Sequence, residues 1–472
     1  MKRTLLLLLV LSATVVCAQQ PLPDAPSQQI QAHEAIAAPP QVTPAANTQL
    51  QPDPGLMKEI DEIKAIDNHA HPPALNGPNG EKDDDYDALP CDPLEPTAAG
   101  WFFREDNPVY IKAWQKMFGY KYDDMKPEHV QELLSAKQEV QKREGDNYPN
   151  WVLEQLGIET EMANRIALGP GQHPPYFLWV AFDDTLLFPL NNTELEKQSP
   201  DRKIFFPREE MIFARYMNEL QSTGVPPTLA QYTAKIVTPI LELQKKNGAV
   251  AIKFEAAYLR SLDFEPAKEA DAARIFARYV RGGVPSDAEY KTLQDYLFRY
   301  IAREAGRLGM AVHFHTGGGC GGYFEMEGSN PLLLDSVFND PMLRQTNFVM
   351  LHGGAGGFEQ VMPYLLMKPN VYADFSEQTW MLSPRHIAAN IRAMLEFYPD
   401  KVLFGTDLYP FEPQVNWEET GYETTTAGRT ALAMALTGMM QDGEITREQA
   451  SAIARKVMRG NAIKLYGLSS AP

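Results

Sequence analysis

Residues 66–72 read IDNHAHP: an apolar residue, a carboxylate, an amide and then two histidines separated only by Ala70. The chain of 472 residues has nine histidines, so this close pair needs an explanation. Because side chains in a β-strand alternate between its two faces, His69 and His71 would point the same way and could share one ion. The alternative is a pair of buried histidines satisfied by backbone groups. The rest of the chain decides between the two.

Composition excludes several classes of protein. The chain is 44% apolar and 22% charged, which is typical of a globular protein with one large core or two ordinary ones. Its formal net charge is -18 and its pI is about 5.0, so it has no basic surface for nucleic acid or anionic lipid. We expect a small-molecule substrate as the partner. The sequence leaves open whether the chain forms a homo-oligomer.

The N-terminus predicts export. Residues 1–18 combine a basic start, a short apolar run and a small residue before a polar segment, the pattern of a secretory signal peptide cleaved after Ala18. The alternative, a lipoprotein acylated at Cys17, is disfavoured by the bulky Val16 in front of it. No later apolar run is long enough to cross a bilayer. We therefore expect a periplasmic or secreted protein without a membrane span.

Two further features follow the signal peptide. Residues 19–55 are rich in Gln, Pro and Ala without apolar periodicity, which predicts a disordered tether. Beyond the signal peptide only Cys91 and Cys320 remain. Two cysteines do not make a disulfide framework, although an exported compartment permits one bridge.

The segment 56–467 alternates short apolar runs with longer amphipathic ones, the pattern of repeated βα units around a parallel sheet. Eight candidate strands fall at residues 64–69, 164–168, 176–182, 249–254, 310–315, 347–352, 370–375 and 401–406. Eight strands with intervening helices predict an α/β fold, a single (β/α)8 TIM barrel, with its active-site groups at the C-terminal ends of the strands.

One interval is much longer than the others. Residues 72–160, between the first two predicted strands, must form a large insertion. Since it follows a strand, we expect it to lie over the active-site face as a lid or a pocket wall. Its acidic run at 81–87 offers carboxylates for calcium, but it lacks regular ligand spacing, which favours a solvated loop.

Six of the predicted strands end on, or just before, a titratable side chain. These residues are His69 and His71, Lys253, His313 and His315, His352, Asp374 and Asp407. Imidazoles with one carboxylate are the ligands that zinc and similar cations prefer. A coincidence of so many polar strand ends is harder to explain by chance than by a shared ion. The pattern therefore predicts a metal site.

Four motifs together resemble the amidohydrolase superfamily, and most closely its amidohydrolase-related (amidohydrolase 2) family. They are DNHAHP (67–72), AVHFHTG (311–317), VMLHGG (349–354) and LFGTDLYP (403–410). The resemblance extends over about residues 56–467 and thins in the insertion. It implies a metal-dependent barrel hydrolase.

By position, the resemblance implies that His69, His71, His315 and Asp407 hold the ion. His315 is preferred to His313 because it immediately precedes the Thr-Gly turn, as the family's histidine does. His313 lies one layer deeper, where packing or support of a ligand is the expected role. We expect one divalent ion, most simply Zn²⁺.

The ligand set suggests a mechanism. A bound zinc ion lowers the pKa of water and polarises a carbonyl. Asp407 can then accept the proton of the nucleophile and pass it to the leaving group. His352 can stabilise an oxyanion or complete a second metal site. Asp374 is expected to be pocket wall or support, and Cys320, without a base partner, a passive cysteine.

The resemblance leaves two alternative roles for Lys253. In some branches of the superfamily a lysine on the fourth strand is carboxylated and bridges two ions. The run KFEAAYLRSL (253–262) also resembles a segment in which Lys253, Tyr258 and Arg260 bind an anionic substrate group, although Leu259 interrupts the match.

The sequence as a whole predicts an exported metal-dependent hydrolase that cleaves a C–N or C–O bond of a small polar substrate. A nonoxidative metal-dependent decarboxylase of the same fold is the first alternative. A catalytically silent exported binding protein is the second, and the four intact ligand positions disfavour it.

Overall fold

The computed structural model describes residues 50–72, 83, 85–91, 93–94, 102, 104–410 and 414–468. The predicted signal peptide, and the predicted tether as far as residue 49, lie outside these residues. Eight parallel strands follow one another around a single sheet in the order β1 to β8. They are β1 Ala65–Ala70, β2 Ile158–Asn164, β3 Phe177–Phe182, β4 Ala249–Phe254, β5 Ala311–Gly317, β6 Phe348–Ala355, β7 Val371–Asp374 and β8 Val402–Leu403.

Backbone hydrogen bonds join the last strand to the first. Asn68 N donates to Phe404 O at 2.9 Å, and Asp407 N donates to His69 O at 2.7 Å. The sheet is thereby closed around a core of side chains from seven strands and the C-terminal helix: Ile66, Met162, Val180, Ala251, Ala311, Val349, Leu351, Leu403 and Ala462. The chain is an α/β protein with the predicted (β/α)8 TIM barrel.

Eighteen α-helices are present in the described part of the chain. They are α1 Pro54–Glu62, α2 Ile111–Phe118, α3 Pro127–Glu144, α4 Tyr148–Leu156, α5 Thr193–Glu196, α6 Pro200–Glu219, α7 Leu229–Tyr232, α8 Thr238–Lys246, α9 Ala256–Leu259, α10 Glu269–Tyr279, α11 Asp287–Arg307, α12 Asp335–Phe338, α13 Met362–Leu365, α14 Gln378–Met381, α15 Pro384–Leu395, α16 Trp417–Gln441, α17 Arg447–Arg455 and α18 Asn461–Tyr466. None of them is long and apolar enough to span a membrane.

Capping chemistry sets where several helices begin. Asp53 Oδ1 accepts a hydrogen bond from Leu56 N at 2.8 Å, so α1 begins at Pro54, inside the stretch predicted as tether. Ser286 and Glu289 form a capping box at the start of α11, because each side chain accepts from the other's backbone N–H. These local signals fix the ends of helices whose apolar faces cover the barrel.

The second strand lies where the sequence did not place it. It spans Ile158–Asn164, whereas the expectation was residues 164–168, so that prediction was wrong. Glu159 and Glu161 made the true strand look polar. In the barrel Glu161 is fully buried, whereas Glu159, near the start of the strand, is partly exposed and forms a 2.6 Å ion pair with Arg459.

The segment between β1 and β2 carries α2, α3 and α4 and is fastened to the rest of the chain at several points, two of which are described here. Lys137 of α3 donates to both carboxylate oxygens of Glu419 on α16, at 3.0 and 2.8 Å, and all of these groups are buried. A disulfide joins Cys91 to Cys320, which follows β5. The segment therefore reaches the C-terminal ends of the strands.

Replacing Lys137 by Met should destabilise the fold by about 3–5 kcal/mol, because it leaves buried carboxylates without their cation. Urea unfolding measures this difference. The matched control is Lys142→Met, an exposed position on the same helix, which should change little. Equal unfolding midpoints for the two variants would contradict the assignment.

Candidate metal centre

Three of the four predicted ligands meet around one carboxylate oxygen. Asp407 Oδ1 lies 3.0 Å from His69 Nε2 and 3.5 Å from His71 Nε2. One donor atom from each of the three residues lies within 4.8 Å of the others. Ligand atoms around a tetrahedral zinc ion stand about 3.3 Å apart. The donor types and their spacing therefore fit a divalent ion.

A β-bulge aims the histidine pair at this point. Ile66 faces the barrel interior, so strict alternation would direct Asn68 and Ala70 inward rather than the histidines. The register of β1 against β2 shifts between Asp67 and Ala70, and this irregularity turns His69 toward Lys253, whose Nζ lies 3.5 Å from His69 Nε2.

Asp67 fixes the bulge against the last strand. Its Oδ1 accepts from Thr406 N at 2.9 Å and from His69 N at 3.2 Å, while its Oδ2 accepts from the Thr406 hydroxyl at 2.5 Å. Since Thr406 directly precedes Asp407, one buried carboxylate positions a ligand on each side of the seam.

Two further histidines continue the site. The imidazole ring of His352 lies 4.9 Å from that of His69 and 4.6 Å from that of His315, measured between ring centroids. His352 Nδ1 also lies 3.9 Å from Asp407 Oδ2. His315 is thus connected to the three donors through His352 rather than grouped directly with them.

The hydrogen atoms of this pair can be assigned from their partners. His315 Nε2 donates to Gly318 O, so its Nδ1 carries a lone pair. The Ser376 hydroxyl donates to Asp374 Oδ1 at 2.7 Å, so His352 Nδ1, 3.0 Å from Ser376 Oγ, donates to that hydroxyl. His352 Nε2 and His315 Nδ1 then face each other at 3.0 Å with two lone pairs. This arrangement requires a shared proton or a cation.

Burial sets the charge state of the site. Burial and the nearby Lys253 lower the pKa of His69 and His315 well below the ordinary value. Burial and the neighbouring His315 do the same for the pKa of His352. Burial raises the pKa of Asp407 well above the usual value. Neutral imidazoles are the form that binds metal, and a cation would favour the ionised carboxylate.

Backbone strain is concentrated at the same residues. Four non-glycine residues of the described chain have positive φ, and three of them border the site: His352 at 66°, Glu377 at 58° and Asp407 at 57°. Each such residue costs about 1–3 kcal/mol and persists only where its surroundings determine it. For His352 the backbone N–H is held by Asp374 Oδ1 at 2.8 Å.

Residues 244–468 match the sequence profile of the family described as Amidohydrolase. This region, slightly under half of the chain, is similar to the amidohydrolase family. This matched region contains β4 to β8 and therefore His315, His352 and Asp407. The histidine pair on β1 lies before it.

Known proteins and solved structures are also similar to this chain. The chain is 28% identical over 236 residues to Protein fluG of Emericella nidulans, an alignment that covers 48% of this chain but only 26% of that protein. A Lactobacillus casei structure described as a metal-dependent hydrolase matches with a TM-score of 0.54 at 16% identity, over 88% of this chain and 98% of that one. A glucuronate isomerase from Caulobacter crescentus matches with a TM-score of 0.57 at 12% identity, over 90% and 97%. The two structures share the fold.

Two of the three predicted substrate-binding residues lie at the site. Lys253 is buried between His69 and Glu255, whose Oε1 is 3.7 Å from its Nζ. The ring of Tyr258 lies 4.7 Å from the ring of His315, and its hydroxyl accepts from Cys320 N at 3.4 Å.

Arg260 does not reach the site, which corrects the expectation that it binds substrate. Its guanidinium donates to Asp295 at 2.8 Å and to Gln294 at 2.9 Å, both on α11, and lies 4.3 Å from the ring of Phe264. Helix α9 ends at Leu259, the residue that interrupts the family motif, and Arg260 continues in extended backbone away from Tyr258.

His313 and Asp374 support other residues. His313 Nε2 donates to the Tyr466 hydroxyl at 2.7 Å, and that hydroxyl donates to Asn68 Oδ1 at 2.5 Å. Asp374 Oδ2 accepts from Asn68 Nδ2 at 2.8 Å. Neither side chain touches the three grouped donors.

Sequence reasoning missed four side chains around the donors. Asn164, at the end of β2, contacts His69 Nδ1. Glu377 lies 3.8 Å from His352 Nδ1, and burial raises its pKa to about 8. Asp87 and Glu255 group with His71. A correct position for β2 would have marked Asn164 as a polar strand end, whereas no spacing in the sequence marks Asp87 or Glu377.

Replacing His69 by Ala should abolish retention of metal, since it removes one of only three closely grouped donors. Elemental analysis of protein purified without chelators measures the bound ion. The control is His313→Asn, an equally buried strand histidine bonded to Tyr466, which should keep the wild-type metal content. Retained metal in the His69 variant would show that this group is not the binding site.

Proposed function

We propose that this protein is a hydrolase that cleaves a C–N or C–O bond of a small polar substrate with the help of one zinc ion. The observation that carries the proposal is the shared oxygen Oδ1 of Asp407, which lies 3.0 Å from His69 Nε2 on the bulged strand β1 and 3.5 Å from His71 Nε2 just beyond it. His315 and His352 border this group and are the proposed additional ligand and electrostatic partner.

A bound divalent ion would supply Lewis acidity, which polarises a carbonyl and makes water a nucleophile near neutral pH. Asp407 supplies the base. Its Oδ1 lies between the two imidazoles, while its Oδ2 points toward His352 at 3.9 Å and remains able to accept a proton. The protonated Oδ2 can then return the proton to the leaving group.

Other side chains of the chain bind and orient the substrate in this proposal. The buried ammonium of Lys253 attracts an anionic or carbonyl oxygen next to the reacting bond, and the Tyr258 hydroxyl can donate a hydrogen bond there. If Lys253 is carboxylated instead, it can join the facing lone pairs of His315 and His352 in holding a second ion. Metal stoichiometry distinguishes the two arrangements.

We also propose that the protein is exported, with residues 1–18 removed. The disulfide between Cys91 and Cys320 supports this, because such bonds persist in oxidising compartments. The presence of every predicted ligand side chain argues against a catalytically silent binding protein.

Reaction in ¹⁸O-labelled water tests the function. With a panel of N-acyl amino acids and carboxylic esters, the zinc-loaded protein should incorporate one solvent oxygen into the product, and chelation should stop the reaction until zinc is restored. Release of carbon dioxide without incorporation of solvent oxygen would show a decarboxylase and overturn the proposal. Saturable binding with no turnover in the loaded protein would show a binding protein.

Asp407→Asn should reduce kcat by about 10²- to 10⁴-fold, because it removes the proposed proton acceptor. Asp400→Asn is the control: this exposed carboxylate lies just before β8 and forms an ion pair with Lys456 at 2.6 Å. Steady-state kinetics on the same substrate compare the two. Equal losses in both variants would exclude a proton-transfer role for Asp407.

A further inference from the structure

One imidazole of the metal centre lies between two carboxylates. His71 Nε2 is 3.5 Å from Asp407 Oδ1, and His71 Nδ1 is 3.4 Å from Asp87 Oδ2. Asp87 is buried, with 2% of its surface exposed. It does not come from a strand end, as the other donors do, but from the segment that separates β1 from β2.

The tautomer of His71 decides whether it can bind a cation. A neutral imidazole carries its hydrogen on one nitrogen and a lone pair on the other. A carboxylate beside Nδ1 accepts a hydrogen bond and so favours the tautomer with the hydrogen on Nδ1. The lone pair then lies on Nε2, facing Asp407. Carboxylate partners of this kind orient metal-binding histidines and raise their basicity.

The loop that carries Asp87 is fixed to the barrel along its length. Arg208 donates to Asp87 O at 2.7 Å, and Ile166 N donates to Asp85 O at 3.0 Å. Cys91, four residues later, is bonded to Cys320, and its N–H donates to the Tyr409 hydroxyl at 3.3 Å. These contacts fix the backbone on both sides of Asp87 and place its Oδ2 3.4 Å from His71 Nδ1.

The other oxygen of Asp87 and the neighbouring Glu255 define the alternative. His71 Nδ1, Asp87 Oδ1 and Glu255 Oε2 are buried without a hydrogen-bond partner; Asp87 Oδ2, at 3.4 Å, is the carboxylate oxygen beside His71 Nδ1, and Asp87 and Glu255 both group with His71. A second cation could occupy this group if His71 used both of its nitrogens as ligands. Lys253, whose ammonium lies 3.7 Å from Glu255 Oε1, opposes a second positive ion there.

We propose that Asp87 is a positioning residue of the metal centre: its Oδ2 accepts the Nδ1 hydrogen of His71 and so holds the Nε2 lone pair toward Asp407. The inference rests on the proposed metal-dependent function, but it concerns affinity for the ion and not turnover. The insertion thereby completes the centre, in addition to covering it.

Zinc affinity of the metal-stripped full chain, measured by competition with a chromophoric chelator, tests the role of Asp87. Asp87→Ala should weaken zinc binding by about 10- to 100-fold. Asp87→Asn should lose less zinc affinity than Asp87→Ala, because its uncharged amide oxygen can still accept the hydrogen of His71 Nδ1. The control is Asp85→Asn, which removes the same charge from the same loop, where Asp85 pairs with Arg215. This control should bind zinc as the wild type does.

The absorption spectrum of the cobalt-substituted protein is a second measurement. It would not change if Asp87 had only a structural role. The visible bands of bound Co²⁺ should shift in the Asp87 variants and not in Asp85→Asn, since only the former change the ligand His71. Zinc affinity of Asp87→Ala within twofold of the control would overturn the proposal. If that variant does not fold, wild-type affinity and bands in Asp87→Asn would overturn it equally.

Stoichiometry separates positioning from ligation. If Asp87→Ala loses one of two bound ions and keeps the other at full affinity, Asp87 is a ligand of a second site and the proposal is wrong. If the wild type binds no zinc, the proposed function and this inference both fail. If the wild type binds zinc and all variants match it, only this inference fails.

The disulfide supplies a second test of the same contact. Replacing Cys91 and Cys320 by Ser should weaken zinc binding less than Asp87→Ala does. Adding Asp87→Ala to that double variant should give the affinity of Asp87→Ala alone, because both changes act through one hydrogen bond. If the fold-losses of zinc affinity in the double cysteine variant and in Asp87→Ala instead multiply in the triple variant, the loop does not act through Asp87.

Discussion

The seam between β1 and β8 is the constraint on which the rest of the site depends. β8 contributes only Val402–Leu403 to the sheet, and the seam continues beyond it through hydrogen bonds between residues 68–71 and 404–408. Within it, Asp67 binds both polar groups of Thr406. Because the bulge at His69 and the turn at Asp407 are formed on this seam, ligands from distant parts of the chain meet there.

The site contains more buried carboxyl groups than buried cationic side chains, and its chemistry follows from this imbalance. Burial raises the pKa of Asp407, Glu377, Glu255 and Asp184, four carboxyl groups that all interact electrostatically with Lys253. One buried ammonium does not neutralise this group. A divalent cation held by neutral imidazoles would offset the desolvation of these carboxyl groups, and this gives a physical reason for three strained residues to remain where they are.

Much of this could be predicted from the sequence. Alternating runs indicated the barrel, and polar strand ends indicated His69, His71 and Asp407, because parallel strands bring their C-terminal ends to one rim. The failures have physical causes. β2 was misplaced because its buried Glu161 mimics a surface residue, and Arg260 was misassigned because one inserted residue, Leu259, redirects the chain after α9. Asp87 and the bond between Cys91 and Cys320 depend on how an irregular segment folds back, which periodicity does not encode.

The central claim is that His69, His71 and Asp407 hold one divalent ion. Anomalous diffraction at the zinc edge, on crystals of protein purified without chelators, tests it most directly. The account predicts a peak about 2.0–2.2 Å from His69 Nε2, His71 Nε2 and a carboxylate oxygen of Asp407. A protein that takes up no metal when zinc is supplied, or an ion bound away from these three atoms, would contradict it.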